Sequence, residues 1–247
     1  MSNLADVEGE RLAFQLPKFL LFVAISIVFS AFGRLVRGVT TSGAVAGAVA
    51  CLAFLWSSGI SAFTALFTVF ALTWAATRLG YSRKQQLGTA EARAGRDALQ
   101  VLANLGVAGI CALCFGFSGS TRWIAGMAAA LAEAAADTVS SEVGQVLGGK
   151  PRLITNGRPV ESGTNGAVSL AGTVAGILAA SIVALVSCIV GLFGLRDSAV
   201  CVTAAVAGMV MDSVLGATAE GPGRLGNNSV NCISTAMAAA LALLVSQ

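Results

Sequence analysis

Residues 122–147 read RWIAGMAAALAEAAADTVSSEVGQVL. A bilayer-spanning helix needs about 20 mostly apolar residues, so this longer run predicts a membrane helix that projects beyond the hydrocarbon. Its small residues suit close approach to neighbouring helices, which in lipid associate by shape and not by expulsion from water. Yet it carries Glu133, Asp137 and Glu142, and an ionisable side chain inside a membrane costs at least about 2.5 kcal/mol on insertion scales. Such groups need partners, water or a metal, which makes function their first reading. Helix phase restricts that reading. Glu133 and Asp137 share a face, whereas Glu142 lies about 140° round from Asp137 on an ideal helix. Asp137 and Glu142 can serve one ion only if the helix unwinds near Ser140 to Gly144, where two serines and a glycine permit a break.

The remaining sequence agrees with lipid as the solvent. Of its 247 residues, 56% are hydrophobic and 11% charged, with a mean hydropathy of +0.82, against about 25% charged residues in an ordinary soluble domain. Cutting the chain where charges, Pro and Gly interrupt the apolar text predicts spans near 17–33, 42–57, 60–79, 97–118, 122–147, 165–192, 198–217 and 229–246. The expected fold is all-α: a polytopic transmembrane helix bundle of about eight spans in one integral membrane domain, residues 1–247, with 1–16 as a polar N-terminal segment. The second run is short enough to be re-entrant, so six or seven spans also fit. The first apolar run lacks a small-residue cleavage site and reads as a span, not a leader.

Alternating sides divides the fifteen Lys and Arg residues unequally. Arg34, Arg37, Arg78, Arg83, Lys84, Arg93, Arg96, Lys150, Arg152, Arg158 and Arg224 fall together; Arg11, Lys18, Arg122 and Arg196 fall opposite. By the positive-inside rule the first group is cytoplasmic and both termini are not. Because these cations occupy connectors, the net charge of +3 is a topology signal, and no nucleic-acid partner is expected. Cys111 and Cys114 form a CxxC in an apolar run without a second pair or any histidine, which removes the usual zinc pattern.

The polar residues then converge on the inner halves of the helices. Arg96, Asp97, Gln100 and Asn104 form one stripe at the start of the fourth span. Glu133, Asp137, Ser140, Ser141 and Glu142 close the fifth, and Thr164, Asn165 and Ser169 open the sixth. Asp212 and Ser213 end the seventh, and Asn227, Asn228, Ser229 and Asn231 begin the eighth. Between the fifth and sixth, GGKPRLITNGRPVESGTNG (148–166) sets Lys150, Arg152 and Arg158 among glycines and prolines. Fixed cations and approachable N–H groups suit a phosphate, and Gly163 to Gly166 leads toward a helix N-terminus that favours anions; an ordinary positive-inside loop reads the same way. GQVLGGK (144–150) approximates a phosphate loop, but Pro151 stands where Ser or Thr is required and the segment follows a helix. With no histidine, the remaining chemistry is that of carboxylates, amides, hydroxyls and cations, the parts of Mg²⁺-dependent phosphoryl transfer.

The segments TTSGA (40–44), QVLAN (100–104), ADTVSSEVG (136–144), PRLITNGRPVESGTNGAVSLAGTVAG (151–176), DSVLGA (212–217) and NNSVN (227–231) resemble the phytyl-phosphate kinase family of membrane proteins. Two positions depart from the family pattern: Val139 stands where a large residue such as Trp is frequent, and Leu105 where Gly is usual. The resemblance implies a kinase that converts an isoprenoid monophosphate, such as phytyl phosphate, to the diphosphate for tocopherol or prenylquinone synthesis. CTP or another nucleoside triphosphate is the implied donor, with Mg²⁺ as cofactor. Carried over by position, Asp137 and Glu142 are catalytic, and Asp137, Glu142 and Asp212 are metal ligands. Arg96, Gln100, Asn104, Lys150, Arg152, Arg158, Thr164, Asn165, Asn228 and Asn231 are expected at nucleotide or phosphate. The implied setting is a bacterial inner membrane or a plastid or other organelle membrane, with the site on the cytoplasmic or stromal face. Partners are the lipid monophosphate, the nucleotide and membrane lipid, and the sequence leaves room for a homo-oligomer. A CTP-dependent nucleotidyltransferase making a CDP-lipid uses the same parts; an ion-coupled transporter is the alternative of another class, disfavoured by the nearly bare outer halves.

Overall fold

A computed structural model describes residues 2–246, with side chains from Leu16 onward. It is an all-α bundle with one two-stranded ribbon. The order is α1 (Ser2–Leu35), α2 (Thr41–Arg78), α3 (Tyr81–Gln86), α4 (Ala98–Ser118), α5 (Arg122–Leu147), β1 (Arg152–Leu153), β2 (Ala167–Val168), α6 (Leu170–Ile189), α7 (Leu195–Leu215), a π-helical turn (Gly216–Glu220) and α8 (Asn227–Val245). Among the described residues six stretches are long and apolar enough to cross a membrane: Leu16–Leu35, Thr41–Arg78, Ala98–Ser118, Leu170–Ile189, Leu195–Glu220 and Asn227–Val245. The side chains of Asp6, Glu8, Glu10 and Arg11, in the expected polar N-terminal segment, lie outside those described.

α2 is not one straight rod. Its helical geometry fails at Ser58 (φ −133°, ψ 18°) and Gly59 (φ 62°, ψ −143°), and a positive φ is the conformation glycine adopts without penalty. The chain reverses there, because Gly43 and Gly47 from the first half line the same cavity as Phe70, Thr73 and Trp74 from the second. The sequence boundary between 57 and 60 is therefore a helical hairpin turn.

α5 is absent from the six apolar stretches because its surroundings make lipid compatibility unnecessary. α2, α4, α6, α7 and α8 all pack on it, and from Ile124 to Ala136 every residue is buried. Alanine permits that crowding. On the facing helix, Gly172 and Gly176 come against the carbonyls of Ser140 and Ala136, where a Cβ would stand 2.6 and 2.9 Å away. The anticipated unwinding near Ser140 to Gly144 does not occur; α5 stays helical through Leu147. α6 begins later than expected, because Ala167–Val168 pairs antiparallel with Arg152–Leu153 and Ser169 caps the helix, its Oγ accepting from Gly172 N at 3.1 Å. Gly163 to Gly166 thus sits in a turn before β2 and does not itself open α6.

The connectors rich in Arg and Lys gather at one end of the bundle. Thr40 N donates to Arg96 O at 2.9 Å, Thr89 Oγ1 bonds Gln145 Oε1 at 2.6 Å, and Gly166 packs on Ser213 and Ala217. At the opposite end Ser61 Oγ donates to Val190 O at 2.7 Å, Trp56 meets Phe117 with ring centroids 4.9 Å apart, and Arg122 Nη2 donates to Leu243 O at 3.0 Å.

Candidate active site

α5 carries the acids into the bundle, and α7 and α8 supply what they face. The carboxyl groups of Asp137 and Asp212 lie within hydrogen-bond reach of each other. Ser234 Oγ on α8 is 3.3 Å from Asp212 Oδ2, and Glu220, from the π-helical turn, adds a nearby negative charge. Two carboxyl groups this close, with a third acid beside them, require a proton or a cation between them. One turn deeper, Glu133 is 1% exposed and its Oε1 has no hydrogen-bond partner. It fits because Gly208 on α7 has no side chain; a Cβ there would lie 2.5 Å from Glu133 Cγ. Opposite the pair, Arg96 is close enough to act on Asp137 electrostatically, and its Nη2 donates to Thr138 Oγ1 at 3.2 Å.

The acid pair borders a polar cavity of about 330 Å³ whose lining includes Ser140, Ser141, Asp212, Ser213, Glu220 and Asn227, together with the turn Gly163 to Gly166. Thr164 and Asn165 therefore reach it. Lys150, Arg152 and Arg158 do not: all three are exposed and none lines the cavity, and Arg152 Nη1 bonds Gly157 O at 2.8 Å within its own ribbon. The short ribbon turns these cations outward.

Other expected site residues make contacts within the fold, and Asn104 also lines the second cavity described below. Glu142 forms an ion pair with Lys84, which is 0% exposed and also donates to the carbonyls of Ala76 at 3.1 Å and Thr77 at 2.7 Å. Glu142 is thus held away from Asp137 and Asp212, as helix phase requires of an unbroken α5. Gln100 forms a capping box with Asp97, each bond 2.9 Å. Asn104, 7% exposed, donates to Gln100 O at 2.9 Å. Asn231 lies one turn before Ser234, whose Oγ reaches Asn231 O at 3.0 Å, and Asn228 is half-buried at the opening of α8. Among the described residues no three of Asp, Glu, His and Cys are placed to hold one metal ion. The Asp137–Asp212 pair still fits Mg²⁺, which usually takes one or two carboxylates and completes its shell with water and phosphate oxygens.

A second cavity, about 460 Å³, opens at the same end between α1, α2 and α4. Four arginines line it, Arg37, Arg78, Arg93 and Arg96, of which only Arg96 was expected at nucleotide or phosphate. The others were absorbed into the count of inner-side cations; the family segment TTSGA was the available signal, since Gly43 is where a Cβ would collide with Arg96 O.

The integral membrane protein DUF92 family model matches residues 24–239. The chain belongs to that family. Among DUF92-type relatives, protein VTE6, chloroplastic, of Arabidopsis thaliana is 33% identical over 94% of this chain and 73% of its own length. An uncharacterized membrane protein of Methanocaldococcus jannaschii is 32% identical over 91% of this chain and 94% of its own length. Protein PGR of Arabidopsis thaliana is 32% identical over 83% and 80%. No solved structure matches this DUF92 chain. The family resemblance drawn from the motifs is borne out, and the matched region contains Glu133, Asp137, Asp212 and Glu220.

Proposed function

We propose that this protein is a membrane kinase that transfers the terminal phosphoryl group of a nucleoside triphosphate, CTP as first choice, to an isoprenoid monophosphate such as phytyl phosphate. The product is the diphosphate used in tocopherol or prenylquinone synthesis. The observation that carries this reading is the half-buried Asp137–Asp212 pair, which borders a polar cavity through Asp212 at the cation-rich end of the bundle. The DUF92 membership and the VTE6 relative support it.

In this reading Asp137 and Asp212 hold Mg²⁺, which supplies charge neutralisation for the transferring phosphoryl group. The hydroxyl and amide groups of Thr164, Asn165 and Asn227 face the nucleotide phosphates, and the lack of cations in the cavity lining matches a nucleotide that arrives with its own metal. Arg96 lies beside Asp137 and offsets charge at the join between donor and acceptor. The helices around α5 exclude water, which strengthens each of these interactions. Counting both halves of α2 and the enclosed α5 makes eight crossings, with the site on the cytoplasmic or stromal face.

The test is product identity. Purified protein is incubated with Mg²⁺, labelled CTP or ATP, and a series of prenyl monophosphates. Prenyl diphosphate and nucleoside diphosphate are the expected products; a CDP-lipid with pyrophosphate overturns the kinase in favour of a nucleotidyltransferase.

A further inference from the structure

We propose that the arginine-lined cavity is the acceptor site: it holds a single-chain lipid phosphate monoester, head among the guanidinium groups and hydrocarbon between α1 and α2. Naming the acceptor an isoprenoid rests on the kinase reading above; the binding chemistry does not.

The cavity is divided by chemistry. Its inner wall is apolar, formed by Phe29, Leu66, Val69, Phe70 and Leu105. Its mouth carries Arg37, Arg78, Arg93 and Arg96 against one acid, Glu91, whose Oε2 is 4.0 Å from Arg96 Nε. A phosphate monoester bears roughly −1.5 to −2 charges near neutral pH, which matches such a surplus, and planar guanidinium groups suit its oxygens. Among the described residues Arg37 and Arg93 have no side-chain hydrogen bond or ion pair. Arg78 has one, to Val36 O at 2.6 Å, and lies over the Trp74 ring at 5.4 Å.

The mouth is assembled before any ligand arrives. Arg37 closes the α1–α2 turn with φ 54°, a left-handed conformation uncommon for a residue with a side chain and maintained only where the surroundings enforce it. The enforcing contact is the bridge Val39↔Arg96, in which Arg96 N donates to Gly38 O at 3.1 Å and Thr40 N to Arg96 O at 2.9 Å. Gly43 and Gly95 allow that approach. The same bridge fixes Arg96, whose Thr138 bond connects the mouth to the residue beside Asp137. A phosphate held here is linked to the acid pair through Arg96, which bonds Thr138 and acts electrostatically on Asp137.

The experiment measures binding without nucleotide. Wild-type protein in detergent is equilibrated with a labelled C20 prenyl monophosphate, and with the C20 alcohol, inorganic phosphate and phosphatidic acid as separate competitors. We expect each competitor to bind at least tenfold more weakly than the monophosphate. Arg37→Gln/Arg93→Gln should bind it at least tenfold more weakly, while Arg83→Gln, at an exposed position of α3 outside the cavity lining, binds as wild type does. Gly47→Leu tests the chain pocket separately: Gly47 lines the cavity, and the nearest atom to its built Cβ is Ser30 Oγ at 3.9 Å. That variant should lose affinity for C20 but not for C5 monophosphate. Equal binding by the arginine double variant, or by alcohol and phosphate, overturns the proposal, as does an unaltered chain-length preference in Gly47→Leu. Binding as expected without any phosphoryl transfer leaves the site standing and defeats the kinase. Transfer that survives with wild-type KM in the arginine variant does the reverse.

Discussion

Asp137 and Glu133 stand one turn apart on α5, and their surroundings separate them. Asp137 meets a second carboxyl and borders the polar cavity through Asp212, whereas Glu133 sits deeper with an unpaired oxygen. Replacing Asp137 with Asn keeps the shape and removes the charge, so the chain should remain extractable and monodisperse while turnover falls by roughly 100-fold or more, the scale of losing one preorganised electrostatic group. Wild-type turnover in that variant defeats the assignment. Gly208→Ala probes the neighbouring constraint. Its added Cβ would meet Glu133 Cγ at 2.5 Å and Ser234 O at 2.9 Å, and overpacking of this kind costs about 1–3 kcal/mol. Thermal unfolding in detergent should show the loss. Asp137 was legible in the sequence as a candidate because an acid inside a membrane helix stands out. Gly208 was not, because one glycine among many says nothing about which neighbour fills its space.

At the scale of elements, helix phase proved the more reliable guide. It set Glu142 apart from Asp137, and an unbroken α5 keeps it apart; the Ser-Ser pair permits a break, but packing on α6 through Gly172 and Gly176 holds the helix together. What phase could not reveal was the occupant of the other face. Lys84 comes from the short helix α3, inside a connector that sequence periodicity leaves undefined, and joins Glu142 to the C-terminal carbonyls of α2. Removing one member of a buried pair typically costs about 3–5 kcal/mol, whereas replacing both with apolar residues is often close to neutral. Because the side chain of Glu142 retains 12% exposure, the lower end of that range is expected for Lys84→Met. Lys84→Met/Glu142→Leu should recover most of the loss in the same unfolding assay. If the double variant is no better than the single one, the pair is not what joins α2, α3 and α5. The outward turn of Arg152 and Arg158 has a similar origin, since two paired residues at each end of a ribbon produce no periodic signal in a sequence.

Across the whole molecule, hydropathy recovers helix boundaries because each lipid-facing helix must be apolar along its length, and charge counting groups the connectors because cations resist crossing. Both rules miss cavities, since residues far apart in the chain build them: the arginine mouth draws on positions 37, 78, 93 and 96. Topology can be tested with the lysines the chain already has. Lys18 and Lys150 are exposed and Lys84 is 0% exposed, so a membrane-impermeant amine reagent followed by peptide mass mapping reads two sides directly. Lys18 lies at the start of the first apolar stretch, with its ammonium over the Phe22 ring, 5.6 Å from the centroid. Between it and Lys150 come α1, the two halves of α2, α4 and α5. If α2 reverses within the membrane and α5 crosses it, that is an odd number of passages. Lys150 should then be modified only from the cytoplasmic face and Lys18 only from the other, with Lys84 silent from both until detergent unfolds the protein. Modification of Lys18 and Lys150 from one face would mean an even number, with either α2 crossing once or α5 failing to cross; the acid pair would then need a different depth in the membrane. Opposite faces place the Asp137–Asp212 cavity and the arginine mouth together on the side where nucleotide is available.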